Sequence, residues 1–194
     1  MDEQWYIQLF GGLRLSHQER VVTRFRTQKT GALLAYLAYH RQQSHSREVL
    51  IEIFWPETTP ESGRHNLSHA LSSLRSLLEP PGVPAGTVII ADRFTVELNP
   101  NAFTTDVAQF EQALRVAAQA RNTPEHASLL ALALEKCTGE LLSGYYEDWI
   151  EPAQERIRQR SEQAITQINA LRERESPAKA PVSVTTPLDR KSVV

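Results

Sequence analysis

Apolar and polar positions between residues 1 and 100 follow the periods of a few short strands and three helices. Residues 5–15 (WYIQLFGGLRL) alternate around a Gly-Gly turn, which is typical of paired strands, and residues 20–22 resemble a third strand. Residues 26–43, 45–56 and 58–82 place apolar residues at helical spacing. Residues 87–100 (TVIIADRFTVELNP) then predict a hairpin. This order favours a winged helix-turn-helix with extra N-terminal strands.

The three predicted helices also carry start and stop signals. Thr27, Ser46 and Thr59 stand where N-capping residues are expected. Pro60 falls at the first helical position, where proline is well tolerated, and Pro56 is expected to end the second helix.

After Pro100 the pattern becomes entirely helical. Two helices are predicted in residues 106–120 and 124–137, joined by a polar turn at Asn122–Pro124, and a long third helix in residues 148–174. The fold class is therefore mainly α with small β, and the second part resembles an unfinished tetratricopeptide-like (TPR-like) domain. We predict a DNA-binding domain at 1–100, a helical domain at 101–175 and a disordered tail at 176–194.

The third predicted helix has two very different faces. Leu67, Leu71, Leu74 and Leu78 recur at helical spacing, and residues 63–78 contain no acid. Small polar side chains allow a backbone to approach base edges, and His, Asn and Ser can donate to or accept from those edges. Acids would be repelled by phosphates. We therefore predict base contacts from a major-groove helix, made by His65, Asn66, Ser68, His69, Ser72 and Ser73.

Cations are concentrated near this helix and in the stretch before the first helix. Residues 14–29 hold five basic residues against the single acid Glu19. Phosphate contacts from such residues would set the register on DNA. The predicted phosphate and wing contacts are Arg24, Arg26, Lys29, Arg64, Arg75, Ser76 and Arg93. Arg93 has an equally good interpretation as a simple turn residue of the hairpin.

Composition limits the class of protein. The 194 residues are 41% hydrophobic and 23% charged, as in a soluble globular protein, and the formal net charge of −2 gives no bulk signal of nucleic-acid binding. The single cysteine, Cys137, excludes an internal disulfide and favours a cytoplasmic setting. The longest apolar run, near residues 129–134, is too short to cross a bilayer.

The sequence contains no pattern typical of an enzyme. It has neither a phosphate-binding glycine loop nor a Gly-x-Ser-x-Gly elbow, so we expect no catalytic residues and no cofactor. Glu61, His65 and His69 share one helical face at a spacing that can hold a metal. A cap residue followed by two outward polar residues explains them more simply, and we predict no metal site.

A family resemblance is visible in six segments of the chain. They are RFRTQKTGALLAYLAYH, HSREVLIEIFWP, HNLSHALSSLR, ADRFTVELNP, DVAQFEQAL and GYYEDWIEPAQERIR. Through them residues 5–173 resemble the SARP (AfsR/DnrI/RedD-like) group of bacterial transcriptional activators. That group joins an OmpR-type winged helix to a bacterial transcriptional activation domain (BTAD). The resemblance is closest to large regulators. The composition changes abruptly after Glu175 and the chain ends in DRKSVV, so we expect an N-terminal fragment with an artefactual tail.

The resemblance implies a sequence-specific transcriptional regulator, an activator, that binds double-stranded DNA as a homodimer on repeated half-sites. It also implies that the loop at 55–62 (WPETTPES) can meet RNA polymerase. This chain departs from its relatives at Gly31, Ser68 and Ser73, where they often carry a cation. Fewer cations predict weaker phosphate binding. The missing cations therefore leave open the alternative of a protein-docking module that does not bind DNA.

Overall fold

The computed structural model describes residues 4–121 and 124–175. Its strands are β1 (Trp5–Gln8), β2 (Arg14–His17), β3 (Arg20–Val22), β4 (His45–Ser46), β5 (Ile89–Ala91), β6 (Thr95–Leu98) and β7 (Phe103–Thr105). Its helices are α1 (Gln28–Tyr39), α2 (Arg47–Phe54), α3 (Pro60–Leu78), α4 (Asp106–Gln119), α5 (His126–Glu135) and α6 (Ile150–Glu175). The fold is therefore mainly helical with two small sheets, and the strand-helix-hairpin order of the winged helix is confirmed.

Two of the three predicted caps form side-chain hydrogen bonds. Thr27 Oγ1 accepts from the Thr30 backbone N–H at 3.1 Å, and Thr59 Oγ1 accepts from the Ser62 N–H at 3.3 Å. Ser46 occupies the N-cap position of α2, but its hydroxyl donates to Glu48 Oε2 at 2.8 Å and caps no backbone group. For Ser46 the sequence therefore predicted the N-cap position correctly, but it did not predict that the side chain would bond elsewhere.

The N-terminal sheet is completed by a strand that lies beyond the predicted domain boundary. Its order is β3-β2-β1-β7, with β1 antiparallel to β2 and parallel to β7. The register pairs Tyr6 with both Ser16 and Thr104. The sequence analysis did not predict β7, because its three residues are too short to show an alternating pattern.

The wing forms a second sheet of order β4-β6-β5. The hairpin predicted around Asp92-Arg93 is present, with Ala91 paired to Val96. His45 and Ser46 of β4 pair with Val96 and Thr95 of β6 and so attach the start of α2 to the wing. This two-residue strand was also missed by the sequence analysis.

The helical half packs on the winged helix through buried apolar residues. α4 packs against α5, and α5 packs against α6. Phe10 contacts Phe110 edge to face, with ring centroids 6.0 Å apart, and Ile150 and Ile157 of α6 belong to the same core cluster as Leu33 and Leu67. The division at residue 100 stays a prediction, while the core runs continuously across it.

Two predictions concern residues whose structure is not described. The tail at 176–194 lies outside the described residues, as do Asn122 and Thr123 of the turn predicted between α4 and α5. Among the helices that are described, none combines the length and the apolar character needed to span a membrane.

Candidate nucleic-acid interface

Helix α3 buries its leucine stripe and presents its polar face outwards. Leu67, Leu71, Leu74 and Leu78 are all buried. The predicted base-reading side chains divide into an exposed group of His65, Ser68, His69 and Ser72 and a half-buried pair of Asn66 and Ser73. The exposed group can approach a partner without rearrangement of the core.

A glycine lets α3 pack closely against α2. A Cβ atom added at Gly63 would lie 2.4 Å from Ile51 Cγ2, which is too close for any side chain. Gly63 is buried in the first turns of α3, so this contact sets the approach of the two helices. The sequence analysis did not single out Gly63, because its role depends on the neighbouring helix.

His65 and His69 form a linked pair on the exposed face of α3. Their Nε2 atoms lie 2.9 Å apart and their ring centroids 4.3 Å apart. One imidazole nitrogen donates and the other accepts, so the tautomer of one ring determines that of its neighbour. The pair therefore presents its remaining polar edges as a unit. Among the described residues, no three His, Cys, Asp or Glu side chains come together as a metal site.

One flank of α3 borders a cleft that leads to the start of α1. The cleft has a volume of about 430 Å³, against about 390 Å³ for the cleft on the other flank, and its cationic walls come from Arg26 and Lys29. His65, Asn66 and His69 form the α3 side. Lys29 Nζ pairs with Glu147 Oε2 at 2.8 Å, so part of its charge is already balanced. Five of the predicted contact residues thus meet in this α1 cleft.

The opposite flank borders a cleft between α3 and the wing. Ser68, Ser72, Arg75 and Ser76 line it from α3, and Arg47 lines it from the start of α2. Arg75 Nη2 reaches the Ile89 carbonyl at 3.4 Å, and the Ser76 hydroxyl donates to the Ser72 carbonyl at 3.0 Å. This wing cleft therefore combines hydroxyls with two guanidinium groups.

Arg47 belongs to this interface although the sequence analysis did not select it. Its Nε donates to the Asp92 carbonyl at 2.9 Å, which ties the start of α2 to the wing turn. The local sequence around Arg47 is typical of an ordinary helix start. The pairing of β4 with β6 would have indicated its place beside the wing. Only the tertiary fold brings this cation beside α3.

The carboxylate that borders the wing cleft is already engaged. Glu79 Oε1 accepts backbone N–H bonds from Gly86, Val88 and Ile89 at 3.1, 2.7 and 2.8 Å. These bonds hold the segment that leads into β5, and so Glu79 helps to position the wing. Among the described residues lining the two clefts, Glu79 is the only acid.

The wing turn is closed by hydrogen bonds and exposes a cation that lies over an aromatic ring. Asp92 Oδ1 accepts from the N–H groups of Phe94 and Thr95 at 2.7 Å each, and these bonds lower the pKa of Asp92. The Arg93 guanidinium lies 4.3 Å from the Phe94 ring centroid, and Phe94 is 57% exposed. Arg93 is thus a turn residue and an exposed cation at once. Phe94 was not predicted as a site residue.

The remaining predicted cations lie outside both clefts. Arg24 and Arg64 are exposed, and neither borders a cleft wall. The hydrogen bond from the Ser46 hydroxyl is the main cause of the lowered pKa of Glu48, and the charge of nearby Arg64 lowers that pKa further. Gly31, where the SARP resemblance leads us to expect a cation, is buried, and a Cβ atom there would meet the Tyr145 hydroxyl at 2.5 Å.

The overall arrangement is similar to a solved bacterial structure. Mycobacterium tuberculosis EmbR, in complex with a low-affinity phosphopeptide, superposes with a TM-score of 0.74 at 23% sequence identity. The match covers 85% of this chain and 44% of the EmbR chain, so this chain spans less than half of that protein's length. No family model matches the sequence, and no curated protein does. The likeness establishes the fold, a winged helix followed by helices, as the SARP resemblance implies; membership of that group stays a prediction.

Proposed function

We propose that this chain is a sequence-specific, DNA-binding transcriptional regulator that places α3 in the major groove. The observation that carries the proposal is the exposed His/Ser face of α3, which is free of acids over residues 63–78 and lies between two clefts that both contain cations. A major groove is about 12 Å wide and is bordered by two phosphate backbones. A polar helix with a cationic cleft on each flank matches this pattern.

The residues divide by the part of DNA that they would meet. His65, Ser68, His69 and Ser72 would contact base edges, since they are exposed polar groups of α3. The two clefts would each receive a phosphate backbone, with Arg26 in one and Arg47 and Arg75 in the other. The Arg93–Phe94 pair at the wing tip would lie beside the adjoining minor groove, with the Arg93 guanidinium against a phosphate that borders it.

Finer parts of the function are also proposed. We expect an activator that acts in the cytoplasm without cofactor or catalysis, and that binds repeated half-sites as a homodimer. The contact with RNA polymerase would fall on the loop at 55–62, where α2 ends and α3 begins. Glu57 and Thr59 are exposed there.

The test is binding-site selection from random duplex DNA with the full chain, at two salt concentrations. The full chain is needed because β7 and the buried faces of α4 and α6 complete the core of the winged helix. We expect an enriched motif whose affinity falls as salt rises, since phosphate contacts release counterions. A folded chain that enriches no motif at either salt would refute the proposal and favour a docking module.

Matched variants separate base contacts from phosphate contacts. His69→Ala should alter the enriched motif, because it removes a base-reading group. Arg47→Gln should leave the motif unchanged and weaken every sequence alike, because it removes a phosphate contact. Arg158→Gln on α6 is the control, since Arg158 pairs with Glu155 and Glu162 and lies outside both clefts.

A further inference from the structure

A third cleft, away from α3, lies where the winged helix meets the helical half. Its volume is about 210 Å³. Tyr39 at the end of α1 and Arg41 in the turn after it line one side. α4 lines the cleft with Glu111 and Arg115, and α6 lines it with Arg156. We call this the junction cleft. Three arginines and one carboxylate therefore face a common space.

The single carboxylate does not balance this charge. Glu111 Oε1 accepts from Arg156 Nη2 at 3.3 Å and also from Arg160 Nη1 at 2.9 Å. In the described part of the chain, neither Arg41 nor Arg115 has a carboxylate within ion-pairing distance. Arg115 donates only to the neutral Gln112 amide oxygen, at 2.8 and 3.1 Å. The junction cleft thus keeps an excess of positive charge.

Two buried donors at the junction cleft have no partner. The Arg41 Nε–H and the Tyr39 hydroxyl are both shielded from solvent and form no hydrogen bond. A buried donor without an acceptor costs about 1–3 kcal/mol, so most are satisfied by protein, water or a ligand. Since both donors are shielded from the open space, an acceptor in the cleft would remove this cost once the side chain turns its donor toward the cleft. The Arg41 side chain also packs 5.9 Å from the Phe103 ring centroid, which limits its freedom to turn away.

The start of α4 borders the same space but offers no free donor there. The Ala108 N–H is bonded to Thr105 Oγ1 at 2.9 Å, and the Val107 N–H is bonded to Asp106 Oδ1 at 2.8 Å. A ligand would therefore be held by side chains. Guanidinium groups present paired N–H donors that match the oxygens of phosphate-type anions.

We propose that the junction cleft binds a small phosphate-class oxyanion, held by Arg41, Arg115 and Arg156 with the Tyr39 hydroxyl. The volume of about 210 Å³ corresponds to roughly seven water molecules at ~30 Å³ each. A phosphate group with a few waters fills such a space. The ligand is inorganic phosphate or the phosphate of a small monoester, and both offer the same oxygens to the arginines.

The position of the site gives binding a structural consequence. Tyr36, Tyr39 and His40 at the end of α1 pack on Trp149 beside α6, with ring centroids 5.2, 5.9 and 6.3 Å away. Burial lowers the pKa of His40, and both His45 and Arg156 lower it further. An anion next to Arg156 would offset that repulsion, raise the pKa of His40, and stabilise the packing between the two halves.

The experiment titrates the full chain with inorganic phosphate at constant ionic strength and pH, without DNA, and then varies the pH with and without saturating phosphate to obtain the His40 pKa. Binding is followed by calorimetry, and by NMR of the Arg41 Nε–H and the His40 ring. We expect saturable binding, a shift of the Arg41 Nε–H signal, and a raised His40 pKa. Parallel titrations with glycerol 3-phosphate and with chloride identify the source of the oxyanion, and tighter binding of glycerol 3-phosphate would point to a monoester.

Matched arginine variants decide whether the junction cleft is the site. Arg115→Gln and Arg41→Gln should each weaken phosphate binding about tenfold, the value of one charge-assisted hydrogen bond. Arg158→Gln, on another face of α6, should leave it unchanged, and circular dichroism verifies that each variant is folded. Arg115 is exposed, so its loss does not threaten the core. The absence of saturable binding, or equal weakening by Arg158→Gln, would overturn the proposal. Neither result depends on DNA binding.

Discussion

Asp106 is the polar group that fastens the helical half to the N-terminal sheet. It is 4% exposed, and its carboxylate accepts from the Leu9 N–H at 2.9 and 3.0 Å and from the Phe10 N–H at 2.8 Å. Leu9 and Phe10 are fully buried just after β1. Burial raises the pKa of Asp106, and the backbone N–H donors oppose that rise. The buried Val107 N–H also donates to Asp106 Oδ1, at 2.8 Å, so removing this side chain should strand three donors in the core.

The expected cost of Asp106→Ala follows from those three donors. Each buried N–H left without an acceptor costs about 1–3 kcal/mol, and losing the buried charge returns part of the total. We expect the free energy of unfolding to fall by about 3 kcal/mol, which for a chain of this size lowers Tm by about 6–12 °C. Asp106→Asn keeps one acceptor oxygen, so its loss should be about half as large.

Urea unfolding of the full chain at neutral pH, followed by circular dichroism and by tryptophan fluorescence, measures this loss. Asp148→Ala is the control, because Asp148 is exposed. A decrease below about 1 kcal/mol, or one equal to that of Asp148→Ala, would show that water or a neighbouring group replaces the carboxylate. The interpretation of Asp106 as the main polar link between β1 and α4 would then be wrong.

Three further predictions concern the DNA interface, the buried histidines and the α2–α3 contact. Arg93→Ala should weaken binding to all DNA sequences alike and reduce the salt slope by about 1, because it removes one phosphate contact. Burial lowers the pKa of His45, so the unfolded chain takes up the proton first as pH falls below about 6.5; wild-type stability should fall there, and less steeply in His45→Gln. Gly63→Ala should lower stability by about 1–3 kcal/mol, although alanine favours helices, because its Cβ would meet Ile51 Cγ2 at 2.4 Å.

Each of these predictions has a control and a contrary result. For Arg93, competition binding against Arg158→Ala serves as the control, and an altered motif would assign Arg93 to base reading. For His45, the slope of unfolding free energy against pH is compared with that of His17→Gln, and equal slopes for wild type and His45→Gln would contradict the expectation. For Gly63, Ser68→Ala on the exposed face of α3 is the matched variant; a stabilised Gly63→Ala would mean that Ile51 moves aside without cost.

Local features of the chain account for the parts that were predicted. The helices α1 and α3 show leucines at helical spacing behind threonine caps, and both signals lie within one segment. The hairpin of β5 and β6 is similarly local, with an Asp-Arg turn between alternating residues. The polar face of α3, acid-free over residues 63–78, followed from the same periodicity, so six candidate base-reading residues could be named from the sequence.

Distant pairings account for the parts that were missed. β4 and β7 have two and three residues, and their partners lie about 50 and 98 positions away in the chain, at Val96 and at Trp5. Segments this short carry no periodic signal, because alternation needs several residues to be recognised. Arg47 was missed for the same reason, since its place beside the wing depends on the pairing of β4.

By itself, the sequence determined which segments become helices or a hairpin and which side of α3 faces outwards, because side-chain spacing along one segment decides both. Tertiary structure alone decided what meets across segments. It placed Arg26 and Arg47 on opposite flanks of α3, set Asp106 beneath the end of β1, and gathered the arginines of the junction cleft. Such meetings arise from the packing of a shared core, to which remote residues contribute without leaving a local pattern.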